Sequence, residues 1–134
     1  MQKITINTTK ENEVIDLTRV LNDLFVKNLY DKGVAFLFAT HSSCALTTAN
    51  LDPGTDLDMI DAFKSMVPNL QYRHAHNPAH APDHIMSSLI GPSLTVPVQS
   101  GTMVLGQYQR VVLVELDGPK ERRINITFLP EPEK

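Results

Sequence analysis

Residues 110–129, RVVLVELDGPKERRINITFL, decide how this chain is read. Both halves are apolar and β-branched, and between them Asp117-Gly118-Pro119-Lys120 is a turn signal. The pattern predicts a β-hairpin with strands near 108–117 and 122–129. Counting back from the turn sets Glu115 opposite Arg122 or Arg123, according to whether the loop holds four residues or three. A cross-strand ion pair is the plain expectation. Arg122 and Arg123 would face opposite sides of their strand, so one arginine can pair structurally while the other grips an anion with its planar fork.

Strands are also expected near 94–98 and 102–105, before Gly101 and after it, which makes the C-terminal half an antiparallel meander. Upstream, residues 3–9 alternate Ile4, Ile6 and Thr8 on one face of a half-buried strand. From Asp16, a plausible N-cap, Leu17, Val20, Leu21, Leu24, Phe25 and Leu29 follow helix-face spacing up to the stop at Gly33. VAFLFAT (34–40) is almost continuously apolar, so it is expected to be a strand covered on both faces that delivers His41 directly behind it. A second helix follows, with Thr55 and Asp58 spaced as a capping box, Ile60, Phe63 and Val67 inward, and Pro68 at its end. These elements predict an α+β fold: a mostly antiparallel sheet or sandwich with two main helices and a short third.

A chain of 134 residues with 42% hydrophobic and 20% charged residues suits one domain spanning 1–134. A net charge of −3 argues against sequence-independent nucleic-acid binding, which rests on clustered Lys and Arg. No stretch approaches the ~20 apolar residues of a membrane span, and the N-terminus lacks an apolar signal core, so a cytoplasmic protein is expected. The lone cysteine, Cys44, fits a reducing compartment and reads as a small core residue rather than a nucleophile.

Four of the five histidines fall in HAHNPAHAPDH (74–84). His76, His80 and His84 would share a helix face, but Pro78 and Pro82 break that geometry, so 73–82 is expected to be loop and helix only from Asp83, ending at Gly91-Pro92. His76 and His80 then read as solvated side chains. His74 and His84, at the ends of the loop, are more constrained. With His41 they could supply three neutral nitrogens to a divalent metal, leaving a fourth position for water or substrate, although spacings of 33 and 10 residues form no compact signature. Around Gly91, the hydroxyls and amides of Ser87, Ser88 and Ser93 could hold a phosphate, with a polar turn as the plain alternative.

Taken together and in order, THSSCALTTANLDPG (40–54), YRH (72–74), HIMSSLIGPSLTVPV (84–98), SGTMVLGQYQ (100–109) and ELDGPKERR (115–123) resemble the YjbQ-like family, long labelled uncharacterised protein family 47. The resemblance implies a compact α+β homotrimer with sites near subunit boundaries and a secondary thiamine-phosphate synthase activity, in which a pyrimidine pyrophosphate is joined to a thiazole phosphate with release of diphosphate. The family's motif histidines fall on His41, His74 and His84, as metal ligands or acid/base groups. Its motifs also cover Ser87, Ser88, Gly91, Gln109, Glu115, Asp117, Gly118 and Arg122, implying Glu115 and Arg122 as catalytic and Ser87, Ser88, Gly91, Gln109 and Arg122 as substrate- or phosphate-binding. The implied cofactor is a divalent ion, zinc or magnesium, and the partner a small phosphorylated substrate. The chain departs from the pattern at Asn50, where a glutamate is common, at Tyr108 in place of tryptophan, and at Lys120 in place of arginine. Two other functions are consistent with the same residues: a metal- or anion-binding regulatory module without turnover, and a metal-dependent hydrolase.

Overall fold

The computed structural model describes residues 1–133. Strands β1 (Gln2–Asn7), β2 (Glu13–Asp16), β3 (Gly33–Ala39), β4 (Cys44–Ala49), β5 (Ser93–Gln99), β6 (Thr102–Met103), β7 (Arg110–Glu115) and β8 (Glu121–Pro130) are joined by helices α1 (Thr18–Lys27), α2 (Thr55–Met66) and α3 (Ala81–Ile90). They form two antiparallel sheets, ordered β1-β8-β3-β5-β6 and β2-β7-β4. The α+β class stands.

The predicted hairpin and meander do not form. β7 lies between β2 and β4, whereas β8 lies between β1 and β3 in the other sheet, so Asp117–Lys120 carries the chain from one sheet to the other. The two strands differ in what covers them. Val111 and Leu113 of β7 enter the core between the sheets, while Val112 and Val114 face a second apolar cluster under α2 and α3. A strand with both faces covered carries a continuous apolar run. β8 alternates instead, with Ile124 and Ile126 buried and Arg123 and Thr127 exposed, as one covered face requires.

The intersheet core joins Leu37, Val96, Ile124 and Ile126 of the larger sheet to Leu46, Val111 and Leu113 of the smaller. α1 adds Leu21 and Phe25, both fully buried. Each such side chain contributes about 1.5–3 kcal/mol by leaving water. The second cluster seats Ile60 of α2 and Met86 of α3 on Ala45, Val112 and Val114.

Several local expectations change. β3 is covered on one face only: Phe36 and Phe38 are 43% and 46% exposed. Strands β2 and β4 are two short elements additional to those expected, paired on either side of β7. Gly54, not a Thr55–Asp58 box, caps α2, with φ +90° and no side-chain capping bond. Leu17 occupies the α1 cap position, while Asp16 Oδ1 accepts the Thr18 amide at 2.9 Å. Helical structure begins earlier than Asp83, in a single 3₁₀ turn at Pro78–His80 that leads into α3. Pro82 is tolerated there because the first turn of a helix has no use for its missing N–H. Among the described residues no helix is long and apolar enough to cross a membrane.

Candidate functional site

β3 pairs with β8 as far as Ala39 opposite Ile124 and then departs. The next β8 amide, that of Arg123, points where β3 has ended, and the ring of His41 takes its place: Nε2 accepts the Arg123 N–H at 2.8 Å. A neutral ring accepting at Nε2 holds its proton on Nδ1. Burial, and next the Arg122 guanidinium, hold the His41 pKa below the ordinary histidine value, with Arg123 and Lys120 adding to the effect against an opposing pull from Glu115. His41 is therefore a neutral N–H donor near pH 7.

Behind it, Arg122 and Glu115 form a buried ion pair, 2% and 0% exposed. Arg122 Nε donates to Glu115 Oε1 at 2.8 Å and Nη2 to Oε2 at 2.5 Å. The same Nη2 donates to the Ser43 carbonyl and hydroxyl at 3.0 and 2.9 Å. Thr8 Oγ1 donates to Glu115 Oε1 at 2.7 Å, and the Asp117 amide to Oε2 at 3.2 Å. Burial works to raise the Glu115 pKa, but the bonds from Arg122, Thr8 and Asp117 prevail and hold the carboxyl below its ordinary range. The pair ties the crossover to the β3–β4 link. It also explains Gly118: a Cβ there would sit 2.8 Å from Glu115 Cγ, with the Lys10 carbonyl closer still.

His84 Nδ1 lies 2.8 Å from the Ser42 carbonyl oxygen. That acceptor places the proton on Nδ1 and leaves Nε2 as a free lone pair. His74 stacks on His84, with ring centroids 4.9 Å apart and planes 16° from parallel. Its Nδ1 accepts the amides of His76 and Asn77 at 3.2 and 3.0 Å, so His74 also holds its loop closed. His80, expected to be a solvated loop residue, lies 3.6 Å from Asp117, which accepts Lys120 Nζ at 2.7 Å. His76 stays exposed.

Phe38, Ala39, Thr40, His41, Ser42, Ser43, Pro92, Lys120 and Arg122 enclose an open cleft of about 690 Å³. Among the described residues Arg122 Nη1 has no hydrogen-bond partner, and Arg122 is one of the residues that line the cleft. Arg122, Lys120 and His41 line the cleft; the Lys120 ammonium is held by Asp117 Oδ2 at 2.7 Å and the Arg122 charge is paired with Glu115.

Other predicted site residues lie elsewhere. Ser87 Oγ is buried and donates to the Cys44 carbonyl at 2.6 Å, and Ser88 Oγ bonds back to the His84 carbonyl at 3.0 Å, so both hydroxyl protons are used inside the fold. Gly91, at φ +111°, lets its carbonyl meet the Leu46 amide and brings Pro92 to the cleft rim. Gln109 donates to Thr48 Oγ1 near the far end of β4, on the order of 15 Å from Ser43 at ordinary strand rise. Asn50 Oδ1 accepts the Asp52 amide at 2.7 Å, which makes it a turn residue.

The predicted metal trio does not fit this arrangement. Among the described residues no three His, Cys, Asp or Glu side chains converge on one point. His41 Nε2 is committed to Arg123. Nearly parallel rings such as His74 and His84 cannot both hold one ion in their planes, where a nitrogen lone pair must point.

Thr8, Ser43 and Lys120 are absent from the sequence-derived site. One signal existed: Thr8 sits on the inward side of the Ile4, Ile6 alternation, where a hydroxyl requires a buried partner.

Two antiparallel sheets, a helix pair over the smaller one and an open cleft at the β3–β4 link define a two-sheet α+β protein with a polar surface site. The family described as "UPF0047 protein YjbQ-like" matches residues 2–131, and the chain belongs to it. A UPF0047 protein of Archaeoglobus fulgidus is 30% identical over 128 residues, covering 95% of this chain and 99% of that protein. One of Mycobacterium tuberculosis is 31% identical over 124 residues, covering 90% and 92%. The crystal structure of a Sulfolobus solfataricus protein, described as YbjQ-like and of unknown function, superposes with a TM-score of 0.89 at 28% identity, covering 97% of this chain and 96% of that one.

Proposed function

We propose that the cleft at the β3–β4 link binds the phosphate groups of a small substrate, and that the chain is a cytoplasmic transferase with a secondary thiamine-phosphate synthase activity. The observation that carries this reading is an open cleft lined by Arg122, by Lys120, whose ammonium is shared with Asp117, and by the neutral His41 ring with its proton on Nδ1. Coupling a pyrimidine pyrophosphate to a thiazole phosphate needs positioned donors for the departing diphosphate more than covalent help from the protein. Glu115 acts here as a positioning residue, since it is fully enclosed and touches Arg122 rather than the cleft. His84, with its free Nε2 backed by the Ser42 carbonyl, is the nearby base. A divalent ion enters this proposal as the companion of diphosphate rather than as an ion held by the three histidines.

Incubating the purified protein with both phosphorylated partners, with and without EDTA, and assaying thiamine phosphate tests the reading. Product at any metal loading supports it; none at any loading overturns it. Phosphate binding without product favours the second reading, an anion-binding module without turnover, for which the enclosure of Glu115 by bonds from Arg122, Thr8 and the Asp117 amide speaks.

We also propose a homotrimer. The open face of β3, with Phe36, Phe38 and the neighbouring Leu129 of β8 exposed, is apolar area that a subunit contact would cover. Phe38 lines the cleft, so that contact would border the site. Light scattering on the eluted protein measures the mass; a monomer at micromolar concentration would remove this part.

A further inference from the structure

Away from the cleft, α2, α3 and the β1–β2 connection enclose a second cavity of about 160 Å³. Its walls are Ile60, Phe63, Val67, Met86 and Leu116. That volume is close to the ~150 Å³ at which an apolar cavity accepts benzene. Most of these walls belong to the second apolar cluster, yet Phe63 and Val67 are only half-buried there. The rim is charged: Glu11 and Asp83 on one side, Lys64 on α2.

Asp83 is the informative group. It is half-buried at the start of α3, and among the described residues its carboxylate makes no hydrogen bond or ion pair, nor does that of Glu11. Among the described residues Lys64 also has no carboxylate within ion-pair distance. The N-terminus of α3 favours a negative charge at Asp83, but burial and then the Asp117 charge raise its pKa, so the site holds this charge against its surroundings. An apolar chamber with an unneutralised carboxylate at its mouth is complementary to a molecule that is apolar at one end and cationic at the other.

We propose that this cavity binds a small organic monocation, a single aromatic ring or branched alkyl group bearing an ammonium. The ring lies among Ile60, Phe63, Val67, Met86 and Leu116, and the ammonium meets Asp83, with Glu11 beside it. This proposal does not rest on the transferase reading, although Asp83 directly precedes His84, the base named there.

The test uses methyl-labelled full-length protein and two probes of equal shape, benzylamine and benzyl alcohol, read through the Met86 and Ile60 methyl resonances. Saturable shifts of those signals with both probes, and about tenfold tighter binding of the amine, are expected, since a partly desolvated charge-assisted hydrogen bond adds roughly that factor. Asp83→Asn should remove the preference for the amine and leave alcohol binding unchanged. Glu11→Gln, an exposed position where misfolding is not at issue, should reduce the preference partly. The proposal is overturned if neither probe gives saturable shifts at these methyls, if the alcohol binds as tightly as the amine, or if amine binding survives Asp83→Asn undiminished.

Discussion

Arg122 meets Glu115 through two parallel bonds, 2.8 Å from Nε and 2.5 Å from Nη2, and the pair joins strands of different sheets. It is a bridge between layers rather than a rung of a ladder. Removing one partner leaves the other charged and dry. Arg122→Met alone and Glu115→Gln alone should each lower unfolding free energy by about 3–5 kcal/mol, measured by urea denaturation. A loss below ~1 kcal/mol would mean that water replaces the missing partner.

Acid should find the same pair. A carboxyl whose pKa is lowered on folding stabilises the fold above its unfolded value, about 4.3 for glutamate, and that contribution is lost as pH falls through the folded value. Glu115, Asp16 and Asp117 all shift downward. Asp83, raised by burial and then by Asp117, offsets part of the loss. The melting temperature should decline slightly below about pH 6.5, where the unfolded chain protonates His41 before the fold does, and fall steeply below about 4. In Glu115→Gln, already less stable at neutral pH, the acid limb should be shallower; an equally steep limb would place the acid-sensitive group elsewhere.

Cys44 is fully buried, and burial pushes its thiol up to about 11. Thiolate is scarce at neutral pH and the sulfur is covered, so a thiol reagent should modify it only on unfolding. Rapid labelling of native protein at pH 7.5 would contradict the packing of β4.

The histidines should divide by what they hold. His41→Ala removes a cleft donor and the acceptor of the Arg123 amide; product formation should fall about 10²-fold. His74→Ala releases the amides of His76 and Asn77, so hydrogen exchange in residues 74–80 should accelerate. His76→Ala, at an exposed ring, should stay within about twofold of wild type for both.

The fold was legible wherever one periodicity held over a whole segment. The amphipathic spacing of Leu17, Leu21 and Phe25 gave α1, and the alternation through Ile124 and Ile126 gave β8. Short strands β2 and β4 were hidden because their four to six residues carry no clear period. The false hairpin arose because an Asp-Gly turn between apolar runs is a local signal, whereas the choice of sheet depends on distant neighbours: Val14 and Ala45 claim Val114, and Ile4 claims Ile124. At the site, the count from the turn left Glu115 either Arg122 or Arg123, and the structure pairs it with Arg122; His74 and His84, singled out at the ends of their loop, stack on each other. Which ring nitrogen is free depends on carbonyls and amides, such as Ser42 and Arg123, that side-chain spacing does not encode.

The crossover at Asp117–Lys120 acts as a ruler. On its far side Arg122 reaches inward to Glu115, and the next residue turns its amide outward to His41. One residue more or less in the turn would reverse both at once, aiming an arginine at solvent and a new side chain at the carboxylate. The length of the segment therefore constrains the fold more tightly than its side chains do, because two unrelated tasks count from the same origin.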